Sequence, residues 1–135
     1  QYYIPYSIEQ EIVNIKKDIK GFARLRKEER QMAFKIESSL LDACTLAILQ
    51  RGDTYGYEIT QAMKRAIVVS ESTLYPVLRR LQKEGLCITY DQPYQGRNRR
   101  YYRITEKGEA QLRDYRKQWE DYSSAIELLL NGGGK

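Results

Sequence analysis

The 135 residues, 15.9 kDa, suit one small domain with an appendage and leave no room for a second full core. Twenty-three Lys and Arg against 18 Asp and Glu give a net charge of +5 and a pI near 9.2, a balance that favours an anionic partner, nucleic acid before a membrane surface. Histidine is absent, which removes the usual general base, the usual zinc ligand and every imidazole-based triad, so the expectation is no enzyme, no metal site and no cofactor.

In chain order, Ser7 can cap a helix in which Ile8, Ile12, Ile15, Ile19 and Phe22 recur at steps of 4, 3, 4 and 3. Residues 16–30 are densely charged, so residues 1–31 read as an amphipathic helical extension that packs on helices of its own or a partner subunit. Ser38 or Ser39 is expected to cap a helix over residues 40–51, with Ser39 and Asp42 at the spacing of a capping box. Leu40, Leu41, Ala43, Cys44, Leu46, Ala47, Ile48 and Leu49 make that helix apolar nearly all round, as a central core helix is, and Gly52 ends it. Asp53 or Thr54 then caps a second helix over residues 55–65, with Tyr55, Ile59 and Met63 at i, i+4 and i+8. Tyr55 and Tyr57, flanking Gly56, read first as braces of this helix, with a hydroxyl reaching a phosphate as the alternative.

Ser70 or Ser72 can cap a third helix running to residue 84, whose Leu74, Val77, Leu78 and Leu81 form the inward stripe. Its other face carries Ser72, Tyr75, Pro76, Arg79, Arg80 and Lys83, so hydroxyls lie near the N-terminus and cations beyond. Residues 86–91 and 100–104 read as two short strands joined by a polar loop over residues 92–99. Tyr101 and Tyr102 alternate, so one packs inward with Ile104 and the other faces out with Arg99 and Arg103. Thr105 starts a last helix to about residue 130, along which Leu112, Tyr115, Trp119, Tyr122, Ile126 and Leu129 follow the a/d heptad rule. At about 1.5 Å per residue it is nearly 40 Å long, more than so small a domain covers, and a two-fold dimer seam is its natural partner.

The charge is unevenly placed. Residues 70–104 hold 7 basic and 3 acidic side chains, whereas residues 1–37 hold 8 and 6, residues 38–69 hold 3 and 3, and residues 105–135 hold 5 and 6. Within the third segment Arg97, Arg99, Arg100 and Arg103 crowd beside Gly96 and Asn98. The two cysteines, Cys44 and Cys87, lie far apart among apolar neighbours, and the chain opens on no secretory pattern, so the expected setting is reducing and cytoplasmic. No apolar run approaches the roughly 18 residues a membrane span requires.

Three helices, then a two-stranded ribbon with a basic turn, is the order of a winged helix-turn-helix. The expected fold is therefore mainly α with a small β-hairpin wing. It divides into the N-terminal extension at 1–31, a DNA-binding domain at 32–104, and a C-terminal dimerisation helix with a Gly-rich tail at 105–135. A helix of about 10 Å diameter fits the major groove of B-DNA, and an arginine-rich hairpin grips the backbone or the adjacent minor groove.

The motifs also carry a resemblance. LLDACTLAIL over residues 40–49, GDTYGYEI over 52–59, STLYPVLRRLQKEGL over 72–86 and GRNRRYYRITEKG over 96–108 together resemble the PadR family of bacterial transcriptional regulators. The resemblance spans about 95 residues; residues 1–31 have no counterpart in the family's short members. It implies a homodimeric repressor binding an inverted-repeat operator in double-stranded DNA through the third helix and wing. By position it implies DNA contacts from Ser72, Thr73, Tyr75, Arg79, Arg80, Lys83, Arg97, Asn98, Arg99 and Arg100. Leu112, Tyr115, Trp119, Tyr122, Ile126 and Leu129 are expected in a dimer interface, or around a pocket for a small aromatic effector. The competing expectation is a winged helix used for protein–protein interaction, docking through its N-terminal helix.

Overall fold

The computed structural model describes residues 34–132, so the helix expected over residues 1–31 lies outside the described residues. Helix α1 (Ser38–Gln50) runs through the centre, burying Leu41, Leu46, Ile48 and Leu49. Its start corrects the capping-box expectation. Glu37 occupies the N-cap with no side-chain cap, the Ser39 hydroxyl donates to the Glu37 carboxylate, and Asp42 turns inward. A cationic partner on another helix, described below, has taken the carboxylate that the local motif would have used.

Thr54, one of the two residues expected to cap the second helix, and Tyr55, expected as its first residue, instead form strand β1 (Thr54–Tyr55), which leads directly into α2 (Gly56–Lys64). Pairing with a later strand satisfies this backbone, so neither Asp53 nor Thr54 caps; Tyr55 holds the N-cap position with extended backbone. Helix α3 (Glu71–Lys83) is capped by Ser70, whose hydroxyl accepts from the Thr73 amide at 3.3 Å. Its stripe of Leu74, Val77, Leu78 and Leu81 is buried as expected. Pro76 sits two residues deeper than a cap at Ser72 would place it and removes one backbone bond, which the packed stripe offsets.

Strands β2 (Cys87–Tyr94) and β3 (Arg97–Ile104) correct the expected polar loop. They pair without a break from Cys87↔Ile104 to Tyr94↔Arg97 and turn through two residues, Gln95 and Gly96, with φ of 49° and 81°. Positive φ at both central residues is the type I′ geometry that matches strand twist. Pro93 hid this extent, yet it lies on β2, an edge strand of the β1-β3-β2 sheet, where proline is tolerated.

Helix α4 (Glu106–Asn131) is sewn to the turn after α3. The Thr105 hydroxyl accepts from the Gly108 amide at 3.0 Å and donates to the Gly85 carbonyl at 2.7 Å, while Lys107 Nζ donates to the Glu84 carbonyl at 2.9 Å. Within α4 only Gly108 and Leu112 are buried, so most of the helix runs clear of the core. Gly132, in the left-handed region at φ 68°, closes it. Among the described residues no helix is long and apolar enough to cross a membrane.

Candidate nucleic-acid interface

The stripe that buries one side of α3 leaves Ser72, Thr73, Tyr75, Arg79 and Lys83 on its exposed side. At the N-terminus the Ser70 hydroxyl lies 3.0 Å from that of Ser72 and 2.9 Å from that of Thr73, a hydroxyl cluster where the helix dipole favours an anion. The Tyr75 ring rests on the first residue of α2: a Cβ at Gly56 would stand 3.3 Å from its Cε1. Between α2, α3 and the wing opens a groove of about 820 Å³, lined by Tyr57, Tyr75, Tyr94, Arg97, Asn98 and Arg100 among others. Tyr57 and Tyr94 are exposed there. The sequence reading gave Tyr57 first a bracing role, with a phosphate contact as the alternative, and left Tyr94 in a loop; extended pairing to residue 94 is what brings Tyr94 to the groove.

The wing arginines fall into different environments: Arg97, Arg99 and Arg103 share one face of β3 and Asn98 and Arg100 the other, and distance from the turn decides what each one meets. Arg97 and Asn98 are exposed beside the turn, and Arg100 is exposed with a loose pairing to Asp91 at 3.7 Å. Arg99 is placed otherwise than expected. Its Cζ lies 3.7 Å from the centroid of the Tyr55 ring and 3.7 Å from that of Tyr94, and its Nη2 donates to the Tyr101 hydroxyl at 2.7 Å. Tyr102 and Ile104 pack on the core side, as one branch of the alternation requires. Tyr101 faces the other way yet is buried, because Tyr55 meets it edge-on at 5.5 Å and Tyr90 stacks on it at 5.6 Å.

Farther from the turn, Asp53 fastens the base of the wing to the α1–β1 connection. It accepts from the Tyr90 hydroxyl at 2.6 Å and from Arg103 Nε at 2.9 Å. Burial alone would raise the Asp53 carboxyl, but these two hydrogen bonds and the Arg103 charge outweigh it and hold the group below its ordinary value.

Arg80 also departs from expectation. Its Nη2 donates to one oxygen of Asp42 and its Nε lies 3.4 Å from the other, so the guanidinium forks onto a carboxylate of α1. Asp42 is buried, while the Arg80 side chain is 36% exposed. Burial first, and then the negative charges of Asp42 and Glu84, raise the Tyr115 phenol, which puts α4 beside the same pair.

On α4 the expected seam divides. Leu112 is fully buried in the core of its own domain, which corrects its assignment to an interface or pocket. Tyr115 packs against that core, whereas Trp119, Tyr122, Ile126 and Leu129 are exposed in a row. Trp119 and Tyr122, with ring centroids 6.3 Å apart, stand beside a groove of about 320 Å³ that Glu37, Leu40, Tyr115 and Gln118 also line.

Comparison with known proteins gives this arrangement its class. Residues 45–114, from within α1 to within α4, match the transcriptional regulator PadR-like family. The chain belongs to the PadR-like family. The match takes in α3, the whole wing and the start of α4. A transcriptional regulator of Mycobacterium tuberculosis, Rv3488, is 36% identical over 75 residues, 55% of this chain and 70% of that protein. The crystal structure of smu.1704 from Streptococcus mutans superposes with a TM-score of 0.70 at 38% identity, covering 77% of this chain and 98% of the other. A PadR-like transcriptional regulator from Bacillus cereus gives 0.63 at 34% identity, covering 72% and 95%. This PadR-like chain is accordingly a DNA-binding transcriptional regulator, not an enzyme, with a winged-helix fold.

Proposed function

We propose that the protein is a homodimeric repressor that recognises an inverted-repeat operator, placing α3 in the major groove and the wing against the backbone or the adjacent minor groove. The observation that carries this reading is the shared groove: Tyr75, on the exposed side of α3, and the wing tip border one open, aromatic and basic cleft. Arg79 is the candidate for bidentate base contact; Ser72, Thr73, Tyr75 and Lys83 contact phosphate or base edges. Arg97, Asn98 and Arg100 supply the wing's grip. Arg80 forks onto Asp42, and Arg99, though it also lines the groove, is stacked on Tyr55 and Tyr94, so both are left out of the contact set.

The second copy covers α4. Trp119, Tyr122, Ile126 and Leu129 form an apolar row that nothing in the same chain covers among the described residues, and two such rows pack as a two-fold seam. A small aromatic effector stacks beside Trp119, changes the angle between the paired helices, and moves the two α3 helices off the one-turn spacing of about 34 Å. The test is selection of bound fragments from random or genomic DNA, then affinity for the best fragment and for scrambled DNA across a salt series. An enriched inverted repeat, a specificity ratio of about a thousandfold and a log–log salt slope steeper than about −4 are expected. Weak, sequence-blind binding that vanishes near physiological salt would overturn the reading.

A further inference from the structure

We infer that Arg99 is a positioning residue that fixes the wing at its working angle to α3, and that it acts through Tyr55 and Tyr94 rather than through DNA. This rests on the wing's proposed role at DNA, but it makes a claim about the free protein as well. Strand β1 is only two residues long, so its pairing with β3 stops at Tyr55↔Tyr101. From Arg99 to the turn, β3 has only β2 beside it. A two-stranded ribbon of this kind is marginally stable and free to swing. Arg99 extends the anchorage past the last backbone pair. Its Cζ stands over the ring of Tyr55, at the root of α2, and over that of Tyr94, the last residue of β2 before the turn, so one guanidinium bridges the two.

The rest of the geometry agrees. Arg99 Nε is shielded from solvent and has no hydrogen-bond partner, a state that two aromatic faces compensate and open water or a phosphate would not require. Nη2 is engaged by the Tyr101 hydroxyl, and Tyr101 is held in turn between Tyr55 and Tyr90 across the three strands. The Tyr55 hydroxyl donates to Glu58 Oε2 at 3.2 Å, which orients the ring from α2. The tip is thus coupled to α2, and through the Tyr75 contact on Gly56 to α3. Arg97 and Arg100, on either side of Arg99, inherit their placement from it.

Planarity is what distinguishes positioning from charge. Lysine keeps the charge but cannot lie flat between two rings. The full chain with Arg99→Lys, Arg99→Ala, Tyr94→Ala, Tyr94→Phe and Arg97→Ala is compared by amide hydrogen exchange without DNA and by affinity for the selected operator across a salt series. Arg99→Lys, Arg99→Ala and Tyr94→Ala are expected to speed exchange over residues 92–100 and to weaken operator binding about tenfold, the scale that two cation–π contacts allow. Tyr94→Phe keeps the ring and behaves as the parent. Exchange in α1–α3 and the melting temperature stay unchanged, so loss of fold does not account for the effect. If Arg99→Lys restores both affinity and wing protection, or if Arg99→Ala leaves exchange unchanged and only lowers the salt slope by about one charge, Arg99 is a direct phosphate ligand and the inference is wrong. Arg97→Ala reports on the underlying reading separately: unaltered DNA affinity there removes the wing from the interface, while the exchange result still decides what Arg99 does in the free protein.

Discussion

Replacing Gly108 by alanine sets helix propensity against packing and predicts that packing wins. Gly108 stands in the first turn of α4, where propensity alone makes alanine better by about 1 kcal/mol. A Cβ at this position would lie 2.1 Å from the Leu86 carbonyl oxygen and 2.7 Å from Ile104 Cγ1. Relief to even 3.0 Å requires backbone movement, because the nearest obstacle is a carbonyl that also accepts from the Thr105 amide at 3.1 Å. The Thr105 hydroxyl ties the same turn to Gly85, so neither side yields freely. Overpacking of this kind costs about 3 kcal/mol, the upper part of its usual range. The net loss is then about 2 kcal/mol, or about 10 °C in Tm for a domain of this size. Thermal melts and urea titrations of Gly108→Ala read it directly, with Ser124→Ala, exposed on the same helix, as a propensity control expected to gain a few tenths of a kcal/mol. A Gly108→Ala variant that melts at or above the parent would refute the claim that close approach to Leu86 fixes where α4 leaves the domain.

Three further outcomes are expected. Arg80→Ala strands the buried Asp42 carboxylate and should cost about 2–3 kcal/mol in urea unfolding, the low side for buried pairs because Arg80 is partly exposed; Asp42→Ala combined with Arg80→Ala should be less unstable than the two losses added together. Strict additivity would show that the two side chains do not support each other. Arg79→Ala should lose about 1–3 kcal/mol on the operator and much less on random DNA, whereas Arg97→Ala should weaken both alike and flatten the salt slope by about one; equal losses for Arg79→Ala on both DNAs would deny it a reading role. The Asp53 carboxyl is held below its ordinary value, so its contribution is full above its unfolded-state value and is lost as pH falls through the folded-state value. Melts from neutral to acid pH should show the stability gap between the parent and Asp53→Asn closing on acidification, and a gap constant down to pH ~2 would contradict that assignment.

What the sequence made legible was whatever one periodic segment decides for itself. The α3 stripe and the Thr105 cap of α4 could both be read from spacing, and the structure holds them as read. What it concealed depends on a second segment arriving from a distance. Thr54 and Tyr55 look like the entrance to a helix until β3 offers them a backbone partner about 47 residues later, whereupon pairing replaces the cap. Asp42 looks like half of a capping box until Arg80, on another helix, claims the carboxylate. Leu112 satisfies a heptad perfectly well, but a heptad records which side of a helix is apolar and not which neighbour covers it; here the first part of that side belongs to the domain's own core. The same logic separates the arginines. Composition counts Arg97, Arg99 and Arg100 as one basic cluster, yet the Tyr55 and Tyr94 rings give Arg99 to the protein, while Arg97, on the same face nearer the turn, and Arg100, on the opposite face, stay exposed to solvent. In a site built from a two-stranded ribbon, therefore, counting positive charges overstates the number of side chains free to reach DNA, and the residue that matters to the others is the one whose guanidinium is already stacked on the protein's own rings.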